Sequence, residues 1–192
     1  MKRAIVLWGL LFVSLLSCSD EEPLLADIQK VVEVDLAISS NRTDSQGDVI
    51  LSETTDIVAD DFTEYLNRIR DFEVNECRIS FQPFSENPGQ PTAVTFETFE
   101  LQLSSLQVGS QAIDLIELAN FVLPQGNTSM VLFRRDSANS SEINNAMSFL
   151  RSRLLREEAF NWDIEGQVQG LGPGGHIEIK LLLDLTAEVI LP

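Results

Sequence analysis

The chain carries one histidine, His176, and two cysteines, Cys18 and Cys77. Those three residues bound the chemistry it can perform. A serine–histidine–acid or cysteine–histidine site would have to be built round His176, and no Gly-x-Ser-x-Gly elbow accompanies it. His176 follows a glycine-rich turn and shares a strand face with Glu178 and Lys180, which reads as a solvent-exposed turn histidine. One histidine and one free thiol supply no zinc or iron cluster of ordinary spacing. Cys77 alternates with Ile79 and Phe81, so a core-facing thiol is a better reading than a nucleophile. Residues 170–175 (Gly-Leu-Gly-Pro-Gly-Gly) resemble a phosphate cradle only in composition. Such a cradle aims backbone amides from a helix N-terminus, and here a strand pattern follows, so a hairpin loop is expected.

The charged residues allow weaker readings. Asp44, Gln46 and Asp48 flank Gly47 and could approach a calcium ion, but the closing glutamate of an EF-hand loop is missing, and a polar turn accounts for them. The pairs Asp60-Asp61 and Glu157-Glu158 fall at helix ends, where solvation is their expected state. Arg134, Arg135, Arg151, Arg153 and Arg156 hold much of the basic charge and form the candidate ligand patch, for an acidic glycan, a lipid head group or a partner protein. The competing reading pairs them with Asp136, Glu157 and Glu158. Trp162 and Tyr65 could stack on sugar rings, yet both occupy positions compatible with a core. No catalytic residue, metal ligand or cofactor is assigned.

The N-terminus is the most informative stretch. Met1, Lys2 and Arg3 are followed by an apolar run over residues 4–16. As a helix that run spans ~20 Å, short of the ~30 Å hydrocarbon core, so it reads as the apolar region of a cleaved export signal. Leu15, Leu16, Ser17 and Cys18 resemble the bacterial lipobox. That resemblance implies cleavage after residue 17, acylation of Cys18, and attachment to a bilayer by two or three chains, which together hold firmly. The next residues, Ser19, Asp20, Glu21 and Glu22, are similar to the acidic export signal of surface lipoproteins of the Bacteroidota. A flexible acidic tether would have the same composition.

The elements behind these candidates are mostly strands. Val32, Val34, Leu36 and Ile38 alternate with polar residues, and a second strand is expected over residues 49–57. Asp60 or Asp61 is expected to cap a helix bearing Phe62, Tyr65, Leu66 and Ile69. Strand character returns over residues 72–82 and from Val94, with a change of parity near Thr98 that suggests a bulge. Residues 106–123 read as one or two strands and residues 128–133 as another. Ser140 or Ser141 is expected to cap a helix with Ile143, Ala146, Met147, Leu150 and Leu154 on its apolar stripe. Residues 160–169 form a strand, and residues 177–191 alternate for so long that a bend or bulge is expected there.

Each half therefore reads strand–strand–helix–strand–strand, through duplication or through convergent packing. The expected fold is a mainly β, antiparallel β-sandwich with two helices, each covering an open end or edge. The boundaries are a signal peptide over 1–17, a lipidated cysteine and acidic tether over 18–28, and the β-sandwich domain over 29–192. This layout is similar to that of uncharacterised β-sandwich lipoproteins of the Bacteroidota. With 30 acidic against 13 basic residues and a net charge of −17, neither nucleic-acid binding nor docking through a basic patch is expected. The expected partners are a lipid bilayer through Cys18 and an unidentified protein or glycan. The expected place is the outer membrane or cell surface, and the expected role non-enzymatic binding. A lipid carrier and a carboxylate-dependent hydrolase are the alternatives.

Overall fold

The computed structural model describes residues 23–39, 47–84, 94–107, 111–123, 126–137, 141–172 and 174–192. The leader, Cys18, Ser19, Asp20, Glu21, Glu22, Asp44, Gln46 and Ser140 lie outside them. In chain order the elements are β1 (Leu25–Ser39), β2 (Asp48–Thr55), α1 (Ile57–Asp61), β3 (Ile69–Phe84), β4 (Val94–Ser105), β5 (Ile113–Leu123), β6 (Thr128–Arg134), α2 (Ser141–Leu155), β7 (Phe160–Gln169) and β8 (His176–Ile190). The first sheet runs β1-β8-β3-β6 and the second β2-β7-β4-β5, with every pairing antiparallel.

Successive strands alternate between the sheets, except that β4 and β5 are hydrogen-bonded neighbours. This is the order of a jelly roll, two interlocked Greek keys closed as a sandwich. Advancing each strand number by four, and counting on past eight to one, converts the first sheet's order into the second's. The repeated layout of the two halves is thus a property of the topology.

Period-two alternation decides what fills the space between the sheets. In β8 each residue from Ile177 to Val189 on one parity is buried, and Val32, Val34, Leu36 and Ile38 of β1 face the same core. Phe81 packs against Phe96, Phe99 and Phe121 with ring centroids 5.3–6.0 Å apart, and further along β4, opposite Leu103 and Ser105, Trp162 and Phe160 are fully buried and meet each other at 5.5 Å. The parity change near Thr98 is a bulge, where the β4–β7 register shifts between Phe96 and Thr98.

Four expectations need correction. β8 carries no bulge: its register against β1 is unbroken from Leu25↔Ile190 to Ser39↔His176. The irregularities lie in its other neighbour, β3, at Ile69/Asp71 and Val74/Glu76, so extra residues in the partner absorb the twist. Leu191 falls past the strand end and is 36% exposed. The glycine-rich residues after β7 do not form a hairpin, because β7 and β8 belong to different sheets and the loop crosses between them. The first helix is displaced. Asp56 caps α1 by accepting from the Ala59 N–H at 3.1 Å, a single turn of 3-10 helix follows at Thr63–Tyr65, and Asn67 leaves helical space at φ 62°. Ile69 then enters the β3 ladder opposite Val189. Phe62 still reaches the core, edge-on to Phe72 at 5.2 Å.

Gly47 fixes where β2 begins. Its φ is +87° and an added Cβ would lie 2.3 Å from the Val168 carbonyl oxygen. The Val168 N–H donates to the Gly47 carbonyl at 2.9 Å, so only a residue without a side chain permits the approach. At the opposite end of the sandwich the Leu191 N–H donates to the Leu24 carbonyl at 2.8 Å, which places the two ends of the domain side by side.

Candidate functional site

β6 is seven residues long and pairs with β3 only over Glu76–Phe81. Among the described residues the first part of β3 therefore lacks a strand on that side, while β5 ends the second sheet without an outer partner. Helix α2 fills the resulting opening. It buries Ala146, Leu150 and Leu154, with Ile143, Met147 and Phe149 packed partly against the core. Phe149 meets Phe160 edge-on at 6.1 Å. The 3.6-residue spacing of these apolar positions makes the helix amphipathic, and the missing length of β6 gives its apolar side somewhere to go.

The arginines of the candidate patch gather round this helix, but they are engaged. Arg151 grips Asp71 through two bonds, Nε to Oδ1 at 2.8 Å and a terminal nitrogen to Oδ2 at 2.6 Å. Arg134 donates to Glu76 at 2.7 Å, and Arg78 binds the other oxygen of the same carboxylate at 2.7 Å. Arg135 pairs with Glu73 and Arg153 with Glu158. Hydrogen bonds from Arg151 hold the Asp71 carboxyl below its ordinary range, and those from Arg78 and Arg134 do the same for Glu76. Of the five candidates, only Arg156 makes no ion pair with a described residue.

The patch is accordingly a row of ion pairs that joins α2 and the end of β6 to the outward face of β3. The carboxylates beside these guanidinium groups offset their charge and weaken their attraction for an added anion. Sequence reasoning identified Glu158 as a partner and missed Asp71, Glu73 and Glu76. Asp71 and Glu73 share a parity along β3, but Glu76 joins them only through the irregularity at Val74/Glu76, and the contact spans 80 residues for Arg151 and Asp71. Arg153 stands apart, over the Phe149 ring at 5.2 Å.

Two grooves flank α2. The one toward β3 has a volume of about 250 Å³ and is lined by Phe72, Val74 and Met147 beneath the Arg151–Asp71 and Arg135–Glu73 pairs. The one toward β5 is larger, with adjoining parts of about 360 and 520 Å³ that share Asp114 and Glu142. Neither groove was foreseen from the sequence.

The other candidates occupy separate places. Cys77 is buried and free, and burial in apolar surroundings drives its thiol pKa up, away from nucleophile formation. His176 opens β8 and lies 3.9 Å from Glu178, half-exposed and far along the chain from the helix. Trp162 is fully buried and so presents no face to a sugar, while Tyr65 is partly covered by Arg68 at 5.7 Å. Asp48 accepts from Gln167 at 3.1 Å. Asp61 lends its backbone carbonyl to Lys30, and burial raises its carboxyl pKa. Glu157 accepts from the Asn67 N–H at 3.4 Å. Among the described residues no group of three histidine, cysteine, aspartate or glutamate side chains is placed to hold a metal ion. No helix among them is long and apolar enough to cross a membrane.

No protein-family model matches the chain, and no curated protein matches it. Among solved structures it is similar to the decameric BFDV capsid protein (12% identity, TM-score 0.41, covering 85% of this chain and 99% of that one). It is also similar to the turnip yellow mosaic virus structure (12%, 0.40, 88% and 83%) and to that of desmodium yellow mottle tymovirus (7%, 0.33, 88% and 93%). These likenesses are distant, and the jelly-roll assignment rests on this chain's own strand order.

Proposed function

We propose that the chain is a lipid-anchored protein of the bacterial outer membrane whose β-sandwich acts as a non-enzymatic binding or accessory module. The observation that carries the binding role is the pair of grooves beside α2, set on a sandwich whose interior is filled. Trp162, Phe72, Phe81, Phe96, Phe99 and Phe160 occupy the space between the sheets, which weighs against an acyl chain carried there. The carboxylates Asp71, Glu73 and Glu76 each face guanidinium groups, an arrangement suited to holding elements together.

Anchoring rests on Cys18 and its lipobox. The first strand begins at Leu25, so an extended tether would keep the domain within about 25 Å of the acylated residue. Expression in a bacterial host with an alkyne-bearing fatty acid tests this. The wild-type protein is expected to incorporate label and sediment with outer membranes, and Cys18→Ala to lose both properties. Label retained by Cys18→Ala would refute the anchor. Protease treatment of whole cells tests the export reading of Ser19, Asp20, Glu21 and Glu22: digestion supports display outside the cell, and protection removes it.

A further inference from the structure

The two grooves beside α2 differ in charge. Toward β3, Asp71 and Glu73 are each matched by an arginine. Toward β5, the apolar lining includes Ile113, Leu115, Ile116, Leu132, Ile143 and Phe149. Asp114, Glu117 and Glu142 stand exposed round that lining, and none is in an ion pair with a described residue. Among the described residues no lysine or arginine lines either part of the groove. Asp114 accepts one bond from the Gln102 side chain, at 2.8 Å. A cationic occupant is therefore complementary here, and an anionic one is not.

The backbone adds a second constraint. Among the described strands β5 pairs with β4 alone, and its other edge borders the groove. An extended peptide can satisfy such an edge while its side chains enter pockets beside it. The register shift opposite Leu101/Gln102 leaves Leu115 as an extra residue in β5, a bulge that bends the edge where it borders the groove and makes it less suited to stacking on other copies.

We propose that the groove between α2 and β5 binds a peptide segment of a partner protein in which lysine or arginine alternates with aliphatic residues. The aliphatic side chains cover the apolar floor and the cations lie among Asp114, Glu117 and Glu142. The inference deepens the binding-module reading and is independent of acylation at Cys18.

The test uses full-length protein in non-ionic detergent and a fluorescein-labelled ten-residue peptide of alternating lysine and leucine, read by anisotropy at physiological salt. Saturable binding is expected. The triple variant Asp114→Asn, Glu117→Gln, Glu142→Gln should weaken it at least tenfold. The variant Asp27→Asn, Glu53→Gln, Glu64→Gln removes as many charges elsewhere and should change it less than twofold. A lysine–serine peptide should bind at least tenfold more weakly, and spermine should not compete at peptide-like concentrations. Absence of saturable binding, equal losses in the two triple variants, or spermine competing as well as the peptide would each overturn the proposal. Unchanged peptide binding by Cys18→Ala supports it even where the anchor fails, which separates the two readings.

Discussion

Replacing Gly47 by alanine should be among the most damaging single-methyl changes in the domain, and three glycines allow the reason to be dissected. At Gly47 the new Cβ would meet the Val168 carbonyl oxygen at 2.3 Å, with φ at +87°, whereas a comfortable carbon–oxygen contact is about 3.3 Å or more. The backbone must therefore give by about 1 Å. That movement sacrifices the Val168–Gly47 hydrogen bond, a loss of about 1 kcal/mol, in addition to about 1–2 kcal/mol for a side chain in left-handed space. The sum is roughly 2–3 kcal/mol against a total stability of about 5–15 kcal/mol. Gly126 has φ +107° with nothing within 4 Å of its Cβ position, so Gly126→Ala should show the conformational cost alone, about 1–2 kcal/mol. Gly172 has open space and no positive φ, so Gly172→Ala should be neutral or stabilise by up to about 1 kcal/mol through the unfolded chain. Urea unfolding followed by circular dichroism gives all three values. Should Gly47→Ala cost no more than Gly126→Ala, the argument from close approach at Val168 would be wrong.

Three further outcomes are expected. Leu150→Ala should destabilise by about 3 kcal/mol, because the side chain is fully buried where α2 closes the sheet, and hydrogen exchange should quicken first at residues 69–75; uniform exchange across both sheets would contradict the plug. Stability should decline on acidification below about pH 4, since the depressed Asp71 and Glu76 pKa values contribute stability present above the unfolded carboxylate value and lost as pH falls through the folded one. The melting temperature of Arg151→Ala should be the less steep with pH, and identical slopes would exclude the Asp71–Arg151 pair as a source. Cys77, buried with a raised thiol pKa, should resist a disulfide reagent in the native protein and react fully in guanidinium chloride; rapid native labelling would show that the core opens there.

The strands were legible because burial on one face imposes a period of two, and Val32 to Ile38 and Ile177 to Val189 display it plainly. What periodicity does not encode is the sheet to which a strand belongs. A hairpin and a crossing between sheets both ask for polar, glycine-rich residues, so the residues before His176 suggest a hairpin although the chain crosses between sheets there. The first helix misled for a related reason. Phe62, Tyr65, Leu66 and Ile69 have helical spacing, but Asp56 caps earlier and the sixteen-residue ladder of β3 claims Ile69. The stripe of α2 was readable from its own residues, whereas its site was not. The short span of β6 was readable as well, expected over residues 128–133 and found over Thr128–Arg134, whereas the ion pairs made by the acids on β3 and the acidic groove toward β5 arise from contacts between segments far apart in sequence.

The meeting of Leu24 and Leu191 also has a mechanical side. β1 lies at the edge of its sheet and is held by one ladder, to β8, over residues Leu25–Ser39. Tension that drags Leu24 and Leu191 apart would open this ladder one pair at a time, like a zip. A pull on the tether along the β1 axis, with the domain restrained at the His176 end, would load all the pairs together in shear. The same strand is therefore easy to peel and hard to slide, and the direction from which force arrives decides how firmly the domain holds together.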